Sequence, residues 1–270
     1  MADVERPGAA ERLLRRQGWV VTAALIAITS LAALYTVLGI GMSMTSIEMT
    51  AMARPVGQPM LMGAGPVWTP TYALLVFLMW AVMMVAMMTP SAAPAVLLFG
   101  ALKRQGPARD QANTATLCFL SGYLAIWGVF SIVATILQWG LSHYGLMANA
   151  MMTLASPQLA AALIAAAGLY QLTPAKTACL RHCQSPAKFL TTHQKPGLWG
   201  AFRMGVLHGA YCTGCCWALM ALLFVGGIMN LYWIVGLAVY VAVEKLAPRH
   251  WPVSQVTGLG LIVLALWLIN

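Results

Sequence analysis

Long apolar runs separated by short polar and basic stretches govern this chain. Residues 18–41, 71–98, 115–139, 157–172, 200–225, 231–243 and 253–268 carry a single charged residue between them, Arg203. At about 20 residues per crossing, the runs predict transmembrane helices, with the fourth and sixth short for a full crossing. Pro90 and Pro94 interrupt the second run, and Gly226-Gly227 with Asn230 marks a tight turn between the fifth and sixth. The predicted fold is an all-α, polytopic transmembrane helical bundle of about seven spans.

Composition agrees. The chain is 61% hydrophobic and 8% charged, against about 25% charged for a soluble domain. No separate soluble domain fits in what the runs leave over. A net charge of +9 would suggest nucleic acid if the basic residues formed a patch, but they are scattered between apolar runs.

Topology accounts for them. Seven spans place on one side Arg6, Arg12, Arg15 and Arg16, then Lys103, Arg104 and Arg109, then Lys176, Arg181, Lys188, Lys195 and Arg203, then Lys245 and Arg249. The other side receives Arg54 alone, so 14 of 15 basic residues share a side, as the positive-inside rule requires. The N-terminus is therefore expected in the cytoplasm and Asn270 outside. Residues 1–17 read as a cytoplasmic tail, 18–41 as a signal-anchor span without a small-residue cleavage site, 42–70 as an exterior Met-rich loop, and 71–270 as a six-span membrane domain. Arg15-Arg16 reads as a retained flank and not as a twin-arginine export signal.

Soft metal ligands cluster in four places. His208, Cys212, Cys215 and Cys216 lie in the fifth span, where His208, Cys212 and Cys215 fall within about 60° of one another on a helix. Met220 follows one turn later. In the second span Met79, Met83 and Met87 repeat every four residues, with Met84 and Met88 on the adjoining face. Alone, such a stripe is core packing. The segment between the fourth and fifth spans holds Cys179 and Cys183, one helical turn apart, with His182 beside them. Cytosolic thiols stay reduced, so metal ligation is favoured over a disulfide. The exterior loop carries Met42, Met44, Met60 and Met62 as candidates for metal capture, or equally as flexible apolar packing.

Depth links two of the groups. Span five enters from the cytoplasm near residue 200, which puts His208 ~12 Å, Cys212 ~18 Å and Cys215 with Cys216 ~23 Å deep. Span two runs the other way, which puts Met87 and Met88 ~17 Å and Met83 and Met84 ~23 Å deep. Packed antiparallel, the two helices would form a ladder of sulfur and nitrogen donors. Cys179 and Cys183 at the cytoplasmic surface predict a second, separate site unless their segment folds inward. Glu244 reads first as a boundary ion pair, with Lys245 following it, and second as a carboxylate orienting a ligand such as His208.

Taken together, Met79-Trp80 with Met83-Met84 and Met87-Met88-Thr-Pro90, Gln171-Leu-Thr-Pro174 with Lys176 and Cys179-Leu-Arg-His-Cys183, His208-Gly with Cys212-Thr-Gly-Cys215-Cys216-Trp217-Ala-Leu-Met220, Met229-Asn230 and Glu244-Lys245 resemble a bacterial family of predicted metal-binding integral membrane proteins, a domain of unknown function. The resemblance covers about residues 70–265. The family looks like one that includes a tyrosinase-associated membrane copper chaperone. It implies copper handling in a bacterial inner membrane, with a copper-dependent enzyme as recipient.

Thioether, thiolate and imidazole donors suit Cu(I) first and Zn(II) second. Three functions use such donors: a Cu(I) chaperone or loader, a Cu(I) or Zn(II) transporter, and a membrane thiol–disulfide or quinone oxidoreductase. Chaperone and transporter need the same ligands, so the residues leave both open. The oxidoreductase ranks below them, because thiolate exchange needs access and the Met stripe has no role in it. No nucleotide-binding loop is present, and six acidic residues give acid–base catalysis little to draw on. The expected partners are a metal ion, the recipient enzyme and membrane lipid, without nucleic acid.

Overall fold

A computed structural model describes residues 9–40, 42, 44–53, 67–106, 109–148, 152–248 and 250–269, with side chains from residue 19 onward. Every apolar run forms a helix. The helices are α1 (Ala9–Leu38), α2 (Ser46–Ala51), α3 (Pro70–Gln105), α4 (Ala112–His143), α5 (Pro157–Gln171), α6 (Pro174–Cys183), α7 (Pro186–Thr192), α8 (Gly197–Ala221), α9 (Leu223–Gly226), α10 (Leu231–Leu246) and α11 (Val253–Ile269). A two-residue hairpin, Met147–Ala148 with Thr153–Leu154, follows α4.

Among the described residues, four segments are long and apolar enough to cross a membrane: Trp19–Leu38, Pro70–Gln105, Arg109–His143 and Gly197–Gly226. Helices α5, α10 and α11 have 15, 16 and 17 residues. They rise about 23–26 Å, short of a ~30 Å hydrocarbon core. The outward face of α4 shows Leu117, Val129, Ile132, Val133 and Ile136, each roughly half exposed. Water would penalise that face, whereas lipid would not.

Local chemistry sets the helix starts. Thr69, Ser156 and Thr173 each accept a backbone N–H with their side chains just before a proline at the first helical position. The Thr173-Pro174 start directly after α5 turns the chain sharply and launches α6 back toward the bundle. The prolines expected to interrupt the second run do not: α3 continues through Pro90 and Pro94. Proline is tolerated inside a membrane helix where neighbouring groups re-satisfy the backbone. Close by, the Ser91 and Tyr123 hydroxyls both donate to the Met88 carbonyl, and Tyr123 ties this part of α3 to α4.

The most extensive packing pairs α4 with α8, α5 with α11, and α3 with α1 and α4. Glycine permits the first of these. A Cβ at Gly205 would overlap the Phe119 carbonyl, and one at Gly122 would overlap the Phe202 carbonyl. Gly205 and Gly209, four residues apart, thus admit the close approach of α4.

Gly205→Val should lower stability by about 1–3 kcal/mol or prevent folding. Gly128→Ala, where a Cβ meets nothing within 4 Å, should stay within about 0.5 kcal/mol of wild type. Thermal unfolding in detergent reads both.

Candidate metal centre

The cysteines of α8 face the interior. Cys212, Cys215 and Cys216 are at most 1% exposed. The Cys215 and Cys216 thiols each donate to the Cys212 carbonyl at 3.0 Å. Lys245 Nζ, from the end of α10, donates to Cys212 Sγ at 3.0 Å and to Ser91 Oγ of α3 at 2.8 Å. The Tyr123 hydroxyl of α4 lies 3.1 Å from Cys212 Sγ and donates to the Met88 carbonyl at 3.2 Å. Cys212 thus sits where four helices converge, beside a cation and a hydroxyl.

The segment between α5 and α8 folds inward, against the expectation of a separate surface site. The Cys183 thiol interacts with both Cys212 and Cys215. That contact first, and burial after it, raises the Cys183 thiol well above its ordinary range. Cys179 lies one turn away against α8, and a Cβ at Gly214 would stand 2.8 Å from Cys179 Sγ. Burial raises its thiol, and the nearby Cys215 adds to the effect. The glycine of the Cys-Thr-Gly-Cys sequence is what lets α6 lie on α8. His182 belongs elsewhere: its ring stacks on Tyr211 at 3.9 Å and its Nδ1 meets the Ala178 carbonyl at 2.9 Å.

An internal ion pair holds α6 in place. Lys176 Nζ is fully buried, donates to Glu244 Oε2 at 2.8 Å, and donates to the Cys215 carbonyl at 3.0 Å. The other Glu244 oxygen accepts from Tyr240 at 3.1 Å and Ser254 at 2.7 Å. Gln184 Nε2 donates to the Glu244 carbonyl at 3.0 Å. Glu244 does form an ion pair, as its first reading has it, but it is buried and its partner is Lys176, not the adjacent Lys245. No hydrogen bond joins it to His208 among the described residues. Consecutive residues on a helix point about 100° apart, so Glu244 and Lys245 serve different neighbours.

His208 is 3% exposed, and its Nδ1 has no partner among the described residues. The rings of Phe119, Tyr123 and Phe189 surround it at 5.8, 5.8 and 5.1 Å.

Met83, Met84, Met87 and Met88 are buried, as is Met220. The antiparallel ladder takes a different form, because α4, not α3, packs along α8. The matched depth survives at one rung, where Tyr123 bridges the Met88 carbonyl and Cys212. Met42 and Met44 are half-buried against the core, while Met60 and Met62 lie outside the described residues.

Among the described residues, no three His, Cys, Asp or Glu side chains are preset at metal-coordinating geometry. Two of the sulfurs are engaged with a backbone carbonyl, so ligation would require those side chains to turn. The clustered sulfur donors are chemically suited to a soft metal ion. Sequence reasoning passed over Lys245, Lys176 and Tyr123. In the sequence both lysines read as topology markers, with Lys245 directly after Glu244 at the end of an apolar run.

Glu244→Gln should cost about 3–5 kcal/mol by leaving Lys176 buried without its counter-charge. It should also speed alkylation of Cys183, which peptide mapping after a timed maleimide pulse would read.

Residues 77–268 match the model of a family described as PpoB2, copper chaperone. Neither a curated protein nor a solved structure matches the chain.

Proposed function

Since the chain belongs to the PpoB2 copper chaperone family, we propose that it is an integral membrane protein that takes Cu(I) onto buried cysteine thiolates and loads it into a copper-dependent enzyme. The observation that carries this reading is the Lys245 ammonium 3.0 Å from Cys212 Sγ, inside a group of four thiols. Two thiolates and one Cu(I) ion carry a net charge of −1. Lys245 brings that to zero, which avoids most of the roughly 3 kcal/mol that an unpaired charge costs at bilayer depth.

Cys212 and Cys215 are the resting ligands in this proposal, with Cys216 and Cys183 as exchange partners. Cys179 guards the α6 side of Cys215. Met83, Met84, Met87, Met88 and Met220 supply a soft, polarisable lining, and Met42, Met44, Met60 and Met62 a capture loop. His182 is released from the ligand set by its stack on Tyr211, and Glu244 serves to dock α6.

In this reading lipid covers the exposed apolar faces, the three shorter apolar helices complete seven spans beside the four long ones, and the N-terminus lies in the cytoplasm of a bacterial cell, at its inner membrane. Setting aside Lys176 and Lys245, whose charges are used inside the bundle, the other thirteen basic residues still divide twelve to one across the proposed membrane.

Reduced, detergent-purified protein should compete for Cu(I) with a chromophoric chelator. Cys212→Ser/Cys215→Ser should lose the tight binding. Wild-type levels of binding in that variant would overturn the ligand assignment. Lys245→Met should keep the fold and lower Cu(I) affinity about 10–100-fold, as loss of a group supporting a metal ligand does. Unchanged affinity would remove the charge-balance argument.

A further inference from the structure

A cleft of about 140 Å³ lies beside the thiol group. Its lining includes Ser91 and Pro94 of α3, Cys183 and Pro186 at the α6–α7 connection, His208 of α8, and Lys245 of α10. No acidic side chain lines it. The volume exceeds that of one water, whose share of the liquid is about 30 Å³, so an ion and an exchanging ligand fit together.

Two of the lining residues stand out. Of the six cysteines, Cys183 alone lines the cleft, and it also interacts with Cys212 and Cys215. His208 is buried, lines the same cleft, and leaves Nδ1 without a partner among the described residues. An unpaired imidazole nitrogen in an apolar interior is costly. A ligand that visits the cleft would recover that cost. With the ring proton on Nε2, Nδ1 presents a lone pair, the form in which histidine binds a metal.

We propose that this cleft is the port through which Cu(I) passes between the inner thiols and the basic side of the bundle, and that Cys183 and His208 form a transfer station in it, one step outward from Cys212 and Cys215. The inference rests on the copper reading above and adds to it a route and an order. The route opens on the basic side of the bundle, at the α6–α7 connection.

Transfer is ligand exchange without redox change. A Cu–S bond to Cys183 forms while the bond to Cys212 or Cys215 breaks, and copper remains Cu(I) throughout. The proton displaced from Cys183 is balanced by one taken up on the cysteine released. His208 fills the coordination position that opens as the inner thiolate departs.

The test uses the full chain, with Cu(I) supplied directly and a chromophoric chelator as competitor. In the Cys212→Ser/Cys215→Ser background, one weak site per chain should remain, with an affinity lower than wild type by about tenfold or more. Adding either His208→Phe, which keeps an aromatic ring among its neighbours, or Cys183→Ser should abolish it. In the otherwise wild-type chain, His208→Phe should slow Cu(I) removal by the chelator about tenfold while affinity stays within about threefold. Cys183→Ser, a near-isosteric change at the end of α6, repeats the measurement if His208→Phe does not fold.

A background variant with no residual site, or with one indifferent to both changes, would overturn the port while leaving the inner thiol site standing. Unchanged release rates in both single variants would overturn it as well. Wild-type protein that takes up no Cu(I) would overturn the copper reading itself, and the port with it.

Discussion

Two ammonium groups are buried in an apolar bundle, and the arrangement around the cysteines follows from how each is neutralised. Lys176 takes Glu244 as its partner, and that pair ties α6 to α10 and, through the Cys215 carbonyl, to α8. Lys245 takes Cys212 and Ser91, which ties the end of α10 to α8 and α3. A buried charge without a partner costs several kcal/mol, so neither lysine can be satisfied without bringing those helices together. Cys183 reaches the inner thiols because Lys176, seven residues earlier, anchors the same short helix.

The second consequence is chemical. A chaperone must hold its ion firmly and still release it. Clustered thiols meet both needs, since one sulfur can attach as another lets go. The resting sulfurs at Cys215 and Cys216 sit on a backbone carbonyl and are not preset around an ion. Their side chains must turn to ligate, and the carbonyl offers them a place to return to. The Lys245 cation beside Cys212 favours negative charge on that sulfur.

Much of this was legible in the sequence. Apolar run lengths located every long helix, because a chain in lipid must satisfy its backbone within each segment. The 100° spacing placed the α8 cysteines on one inward stripe. Counting residues from the membrane edge set Met88 level with Cys212, and Tyr123 spans that level. Periodicity does not reveal which helix comes next to which. It therefore missed α4 between α3 and α8, and it missed the inward fold of α6. The contacts that build the centre join residues 33, 39 and 68 positions apart, and no local spacing encodes those. Lysines that satisfy the positive-inside rule also conceal the two that are not topological at all.

The most direct measurement of the central claim is X-ray absorption at the copper edge on protein loaded with one Cu(I) per chain. A first shell composed of sulfur, replaced by a different shell when Cys212 is changed to Ser, is the predicted result. A shell dominated by oxygen or nitrogen, or one unaltered by Cys212→Ser, would contradict the assignment of the buried thiols as the copper-holding group.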